Sequence, residues 1–265
     1  MIDDDRFDQL ECERDGDVVR ATIRSESKLN ALNQGLADEL HAFAIACTED
    51  ETLRCVTLVG SGEAFCAGAD IASWRGDERD GAAVRKLATT LHDAILEFHA
   101  MDAPLVVGVN GVAAGAGFSL SLSGDVVLCH EDARLEYAYS RLGLTGDGGS
   151  TFYLPRIVGV RRAREIALLD EPIAPDRAVE LGLATEVVSD ESFEDRLEAV
   201  SSRLASGPTR AYGATKRLIN RSLERGLADQ LAAETDAIAT ATHGEDYRRG
   251  YEAFFAGEKP EFVGE

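Results

Sequence analysis

Three glycine-rich turns, two of them directly behind short apolar runs, constrain this chain more than any other feature. Residues 55–59 are apolar and mostly β-branched, which predicts a buried strand. They run into Gly60-Ser-Gly-Glu-Ala-Phe-Cys-Ala-Gly-Ala-Asp-Ile71. Residues 105–109 read the same way and run into Asn110-Gly-Val-Ala-Ala-Gly-Ala-Gly-Phe118, then a helix of small residues. The third cluster is Leu142-Gly-Leu-Thr-Gly-Asp-Gly-Gly149. Glycine and alanine at strand ends let a ligand approach the backbone and leave N–H groups free to donate. Where such groups open a helix, the dipole adds to their pull on developing negative charge. A dinucleotide fingerprint is not met: glycine would be needed at Phe65 or Leu120. No Gly-Lys-Ser/Thr occurs, so a P-loop is absent.

The remaining periodicity predicts an α/β chain. Residues 18–24 alternate after an Asp15-Gly16 turn signal, which predicts an early hairpin. Leu32, Leu36, Leu40, Phe43 and Ala44 have helical spacing within 31–47, with Asn30 as the expected N-cap. Residues 82–101 form the clearest amphipathic helix, with Leu87, Leu91, Ala94, Ile95 and Phe98 on one face. That helix stops ahead of Pro104. A strand is expected at 126–129, short helices at 163–169 and 177–181, and a strand at 185–188. Helices follow at 193–204, 209–226 and 228–242. Strands alternating with helices imply some parallel pairing. The division expected is an α/β core over 1–192 and a helical region over 193–265 that needs a partner surface. No internal repeat is visible.

Charge excludes several functions. The net charge is −21, and only four of the 27 basic residues are lysine. Such a surface opposes nucleic acid and anionic membranes. It also has the character of a protein from a high-salt cytoplasm, where carboxylate repulsion is screened within a few ångströms. No apolar run approaches the roughly 20 residues of a bilayer span. The opening segment is acidic, without an apolar signal core, so a cytoplasmic location is expected. Five scattered cysteines without a CxxC predict reduced thiols and no metal site.

Taken in order, Glu26–Leu32, Ala64–Ile71, 104–117, 142–159, 178–188 and the tail 254–262 resemble the enoyl-CoA hydratase/isomerase (crotonase) superfamily over nearly the whole chain. The resemblance implies a spiral of ββα units with a helical C-terminal trimerisation region, and trimers or dimers of trimers. It implies an acyl-coenzyme A thioester as substrate and no permanently bound cofactor. Two backbone N–H groups, carried over to Ala69 and Ala116, would hold the thioester oxyanion. The family more often has glycine at the second position, but alanine offers the same N–H. Coenzyme A contacts carried over are Ser27, Lys28 and Leu29, with Ala67, Asp70 and Ile71 near the adenine. Lys259 matches a tail lysine that in relatives reaches the coenzyme A of a neighbouring subunit.

The carboxylates separate the possible reactions. Hydration in this family uses two glutamates, and their positions here are Ser119 and Tyr139, so both acids are missing. Asp147 stands where related isomerases carry an acid. One carboxylate there can move a proton between the α and γ carbons of an enoyl thioester while the oxyanion turn holds the dienolate. Chlorobenzoyl-CoA dehalogenases are similar in having an aspartate at the Asp147 position, an aromatic residue at Tyr139 and a histidine at His92. In that pattern His92 would activate water against an aspartyl ester. Isomerisation with Asp147 as acid/base is the first expectation. The alternatives are enoyl-CoA hydratase, aryl-CoA dehalogenase or thioester hydrolase, and a non-catalytic acyl-CoA-binding subunit. Cys66, inside the first oxyanion turn, has no basic partner and is expected to be a packing residue.

Overall fold

The structure is a computed structural model describing residues 7–265; the first six residues of the acidic opening segment lie outside the described residues. The expected hairpin forms from β1 (Leu10–Asp15) and β2 (Val18–Ile23), paired antiparallel from Leu10↔Ile23 to Asp15↔Val18. α1 (Gln34–Glu49) follows, and its N-cap is Asn33, whose side chain accepts from the Leu36 N–H at 2.8 Å. The expected cap, Asn30, is instead buried in the preceding turn, because its amide bonds across to another loop.

β3 (Cys55–Gly60) leads into the short β4 (Ala64–Cys66), and then α2 (Gly81–Ala100) crosses back. β5 (Leu105–Val109) leads into β6 (Val112–Ala114) and α3 (Ala116–Ser121). β7 (Val126–His130) leads into β8 (Arg134–Glu136) and α4 (Ser150–Leu169). The chain therefore repeats a ββα unit three times. In each unit the first strand joins one sheet and the second joins another. The larger sheet has the order β1-β2-β3-β5-β7-β9, with β9 at Glu186–Val188, and is parallel beyond the hairpin; the smaller is β4-β6-β8, all parallel. β4, β6 and β8 are three residues each, too short for a period-2 signal, and were not anticipated.

α4 begins earlier than the helix expected at 163–169, which is only its second half; the break comes at Gly159, with φ 75°. α5 (Pro175–Glu180), β9 (Glu186–Val188) and α6 (Phe193–Ala205) follow. β3 and β5 are buried at every residue, as parallel strands covered on both faces are. Val56, Leu58, Leu105 and Val107 point into the main core with Phe43, Phe98 and Leu91. Cys55, Val59 and Val106 point the other way, against Phe193 and Leu197 of α6. At ~25 cal/mol per Å² of apolar surface, burying each such side chain contributes about 1.5–3 kcal/mol before entropy is counted.

α7 (Thr209–Ser222) and α8 (Leu227–Ala241) correspond to the last two expected helices. α9 (Glu245–Ala256) was not expected, since its apolar residues do not face a core. α8 buries nothing, and Leu227, Ile238, Phe254 and Phe255 are largely exposed. No helix among the described residues is long and apolar enough to cross a membrane. All five cysteines are buried and, among the described residues, none is disulfide-bonded.

Candidate active site

The site gathers behind the C-terminal ends of β2, β3 and β5. Leu29 and Asn30 are consecutive left-handed residues, with φ 56° and 55°. That conformation costs an L-residue roughly 1–2 kcal/mol. Two hydrogen bonds from the Asn30 amide offset it, to Ser61 O at 2.9 Å and Ala64 O at 2.7 Å. Residues 27–32 are then laced to residues 67–71. The Ala67 N–H donates to Leu29 O at 3.1 Å, Leu32 N–H to Gly68 O at 2.7 Å, and Asp70 N–H to Leu32 O at 2.9 Å. The Ser27 hydroxyl donates to Asp70 Oδ2 at 2.7 Å. Ser27, Lys28, Leu29, Ala67, Asp70 and Ile71 thus form one continuous edge, with Lys28, Leu29 and Ile71 exposed on it.

The first two glycine-rich turns pack directly on one another. A Cβ placed on Gly117 would lie 1.9 Å from Cys66 O, so only glycine permits this approach. A Cβ on Gly68 would lie 3.7 Å from the Ala116 nitrogen, which puts the two turns side by side. Gly115 takes the unusual angles (φ 52°, ψ −117°), while Ala116 is the first residue of α3 and needs no glycine. Among the described residues, neither the Ala69 nor the Ala116 N–H has an acceptor. Cys66 is buried here, and burial pushes its thiol up to about 11, as a packing residue requires.

The third loop brings in the carboxylate. Ser119 lies one helical turn beyond Ala116, about 4.5 Å further along the axis of α3. Its hydroxyl is 2.7 Å from Tyr139 Oη, and Tyr139 donates to Asp147 Oδ1 at 2.7 Å. An ionised carboxylate only accepts, so the proton order runs from Ser119 to Tyr139 to Asp147. Tyr139 is buried, and burial followed by the Asp147 charge pushes its phenol well above the usual value. It therefore stays a neutral donor. The loop carrying Tyr139 is pinned by Asp170, which accepts from the Ala138 N–H at 2.7 Å where Ala138 has φ 60°. Arg141 binds both Asp170 and the buried Glu136. Asp170 and Glu136 were missed from the sequence, where nothing distinguishes a supporting carboxylate from a solvated one.

His92, on α2, reaches the same loop. Its Nε2 accepts from the Gly148 N–H at 3.0 Å, so the ring is neutral with its proton on Nδ1. The approach of that nitrogen to Asp147 Oδ2, 3.8 Å, is accordingly not an ion pair in this state. Ser119, Tyr139, Asp147 and His92 are thus one cluster beside Ala116. Lys259 is not part of it within one chain. It shares a surface cleft with Asp17, Val18 and Arg54, at the opposite ends of the strands.

Comparison with known proteins agrees with this architecture. Residues 13–265 match the family described as enoyl-CoA hydratase/isomerase. The chain is 36% identical to a 1,2-epoxyphenylacetyl-CoA isomerase of Escherichia coli (strain K12), covering 93% of this chain and 95% of that protein. It is 37% identical to a probable enoyl-CoA hydratase of Rhodobacter capsulatus, covering 92% and 93%. Among solved structures, a putative enoyl-CoA hydratase from Streptomyces coelicolor A3(2) superposes with a TM-score of 0.92 at 26% identity, over 100% of this chain and 98% of that one. The chain belongs to the enoyl-CoA hydratase/isomerase family and has its crotonase fold.

Proposed function

We propose that this enzyme isomerises an enoyl-coenzyme A, moving the double bond with Asp147 as the single acid/base. The carboxylate takes a proton from the α carbon of a 3-enoyl thioester, the charge passes to the thioester oxygen, and the same carboxyl returns the proton at the γ carbon. The Ala69 and Ala116 N–H groups receive that oxygen, where one such donor contributes about 3–4 kcal/mol to the transition state. Ser27, Lys28 and Leu29, with Ala67, Asp70 and Ile71, hold the coenzyme A; Lys259 would serve a neighbouring subunit. The exposed apolar faces of α8 and α9 support a homotrimer or a dimer of trimers.

The observation that carries this reading is the hydroxyl relay that starts at Ser119, one helical turn beyond Ala116, and ends on Asp147. Two hydroxyls occupy the positions where hydration would need acids, which weighs against water addition. The lone pair of His92 Nε2 is taken by Gly148, which weighs against water activation for hydrolysis of an aspartyl ester. The isomerase named among the relatives supports the choice.

The test follows conjugation of a trans-3-enoyl-CoA by absorbance, in the wild type and in Asp147→Asn. The expected result is turnover that falls by about 10²–10⁴ in the variant. Tight acyl-CoA binding without turnover of any enoyl substrate would make the protein a binding subunit instead. Rapid water addition to crotonyl-CoA, or halide release from an aryl-CoA, would replace the reading with hydration or dehalogenation.

A further inference from the structure

We infer that His92 is a positioning residue for Asp147, acting through the Gly148 peptide and switched off by its own protonation. The inference rests on the assignment of Asp147 as the base. Gly148 has φ 55°, and a Cβ there would lie 2.7 Å from the Ser119 Cβ, so the residue must be glycine. A glycine at this point frees the loop as readily as it fits it, and something else must select the conformation. The His92 lone pair does so, at 3.0 Å from the Gly148 nitrogen. Asp147 is then held from two directions: Tyr139 donates to its Oδ1, and His92 fixes the peptide that follows it. Its Oδ2 has no hydrogen bond among the described residues and is the oxygen left for proton transfer.

The same geometry makes the contact sensitive to acid. Protonated Nε2 becomes a donor facing the Gly148 N–H, and repulsion replaces the hydrogen bond. Asp147 Oδ2, at 3.8 Å, then lies within ion-pair reach of the new proton. Asp147 is the one charged group within 4.0 Å of the His92 ring nitrogens among the described residues, and the neutral Tyr139 phenol lies on its far side. Along α2 itself the charged residues nearest in sequence are Asp93, next to it, and Glu97 and Lys86, five and six residues away. Acidification therefore loosens the loop and pairs the base with a cation, both through one proton.

The experiment compares His92→Leu, His92→Gln and Asp147→Asn with the wild type. It measures kcat and KM on a trans-3-enoyl-CoA as a function of pH. Amide hydrogen exchange of the peptide containing Gly148 is measured alongside. Leucine should lower kcat about tenfold with KM nearly unchanged, the loss of one hydrogen bond, and should speed exchange at Gly148. Glutamine, whose amide oxygen accepts from Gly148 but does not titrate, should restore both and make the acid limb less steep. A glutamine variant as impaired as leucine, or a leucine variant identical to wild type, overturns the inference. Full activity in Asp147→Asn would instead overturn the assignment of the base.

Discussion

Tyr139→Phe removes one hydroxyl and nothing else. The ring keeps its edge contact with Tyr137, at 5.0 Å between centroids and 66° between planes. Ser119 can turn its proton to Gly115 O, at 3.2 Å. Asp147 Oδ1 loses its 2.7 Å donor. A hydrogen bond to a charged group contributes about 1.5–3 kcal/mol, and each 1.36 kcal/mol is a factor of ten. The predicted loss in kcat is therefore about 10- to 150-fold, with KM little changed because the edge proposed to hold coenzyme A is untouched. Steady-state kinetics on a trans-3-enoyl-CoA measures both constants. An unchanged kcat would refute the claim that Tyr139 holds the catalytic carboxylate.

Three further predictions concern the rest of the molecule. A thiol reagent at neutral pH should label none of the five buried cysteines in the folded protein and all five in denaturant, because burial holds Cys66 up at about 11 and Cys55 and Cys129 at about 12. Since these thiols ionise near 9 when unfolded, stability should fall as pH rises from about 9 towards 11; a flat alkaline melting profile would contradict this. With a net charge of −21, the melting temperature should rise steadily from low salt to molar potassium chloride. A protein fully stable and active without added salt would end the high-salt reading.

Much of this could be read from the residues, and the failures have physical causes. The buried strands and the α2 stripe were legible because a five-residue, mostly apolar run or a 3.6-residue period leaves a clear trace. β4, β6 and β8 were not, since three residues carry no period. The threefold ββα repeat left no sequence repeat for the same reason and was legible only through the family resemblance: it is a repeat of geometry, with different residues filling each unit. Asn30 misled because a polar residue ahead of a helix serves equally as a cap or as a brace for a left-handed turn. At the candidate site, the structure brings Asp147, Tyr139, Ser119 and His92 together, but how they connect was not legible in the sequence. That Ser119 and Tyr139 pass a hydrogen bond to Asp147, and that His92 serves a backbone N–H, depends on side-chain directions no spacing rule contains.

The most direct test of the central claim is a crystal structure of Asp147→Asn with a 3-enoyl-CoA bound. The account predicts the thioester oxygen about 2.7–3.1 Å from the nitrogens of both Ala69 and Ala116. It also predicts residue 147 roughly 3–3.5 Å from the α carbon, with the nucleotide along Ser27–Leu29 and Ala67–Ile71. A thioester oxygen held elsewhere, or an α carbon facing His92 or an ordered water rather than residue 147, would contradict it.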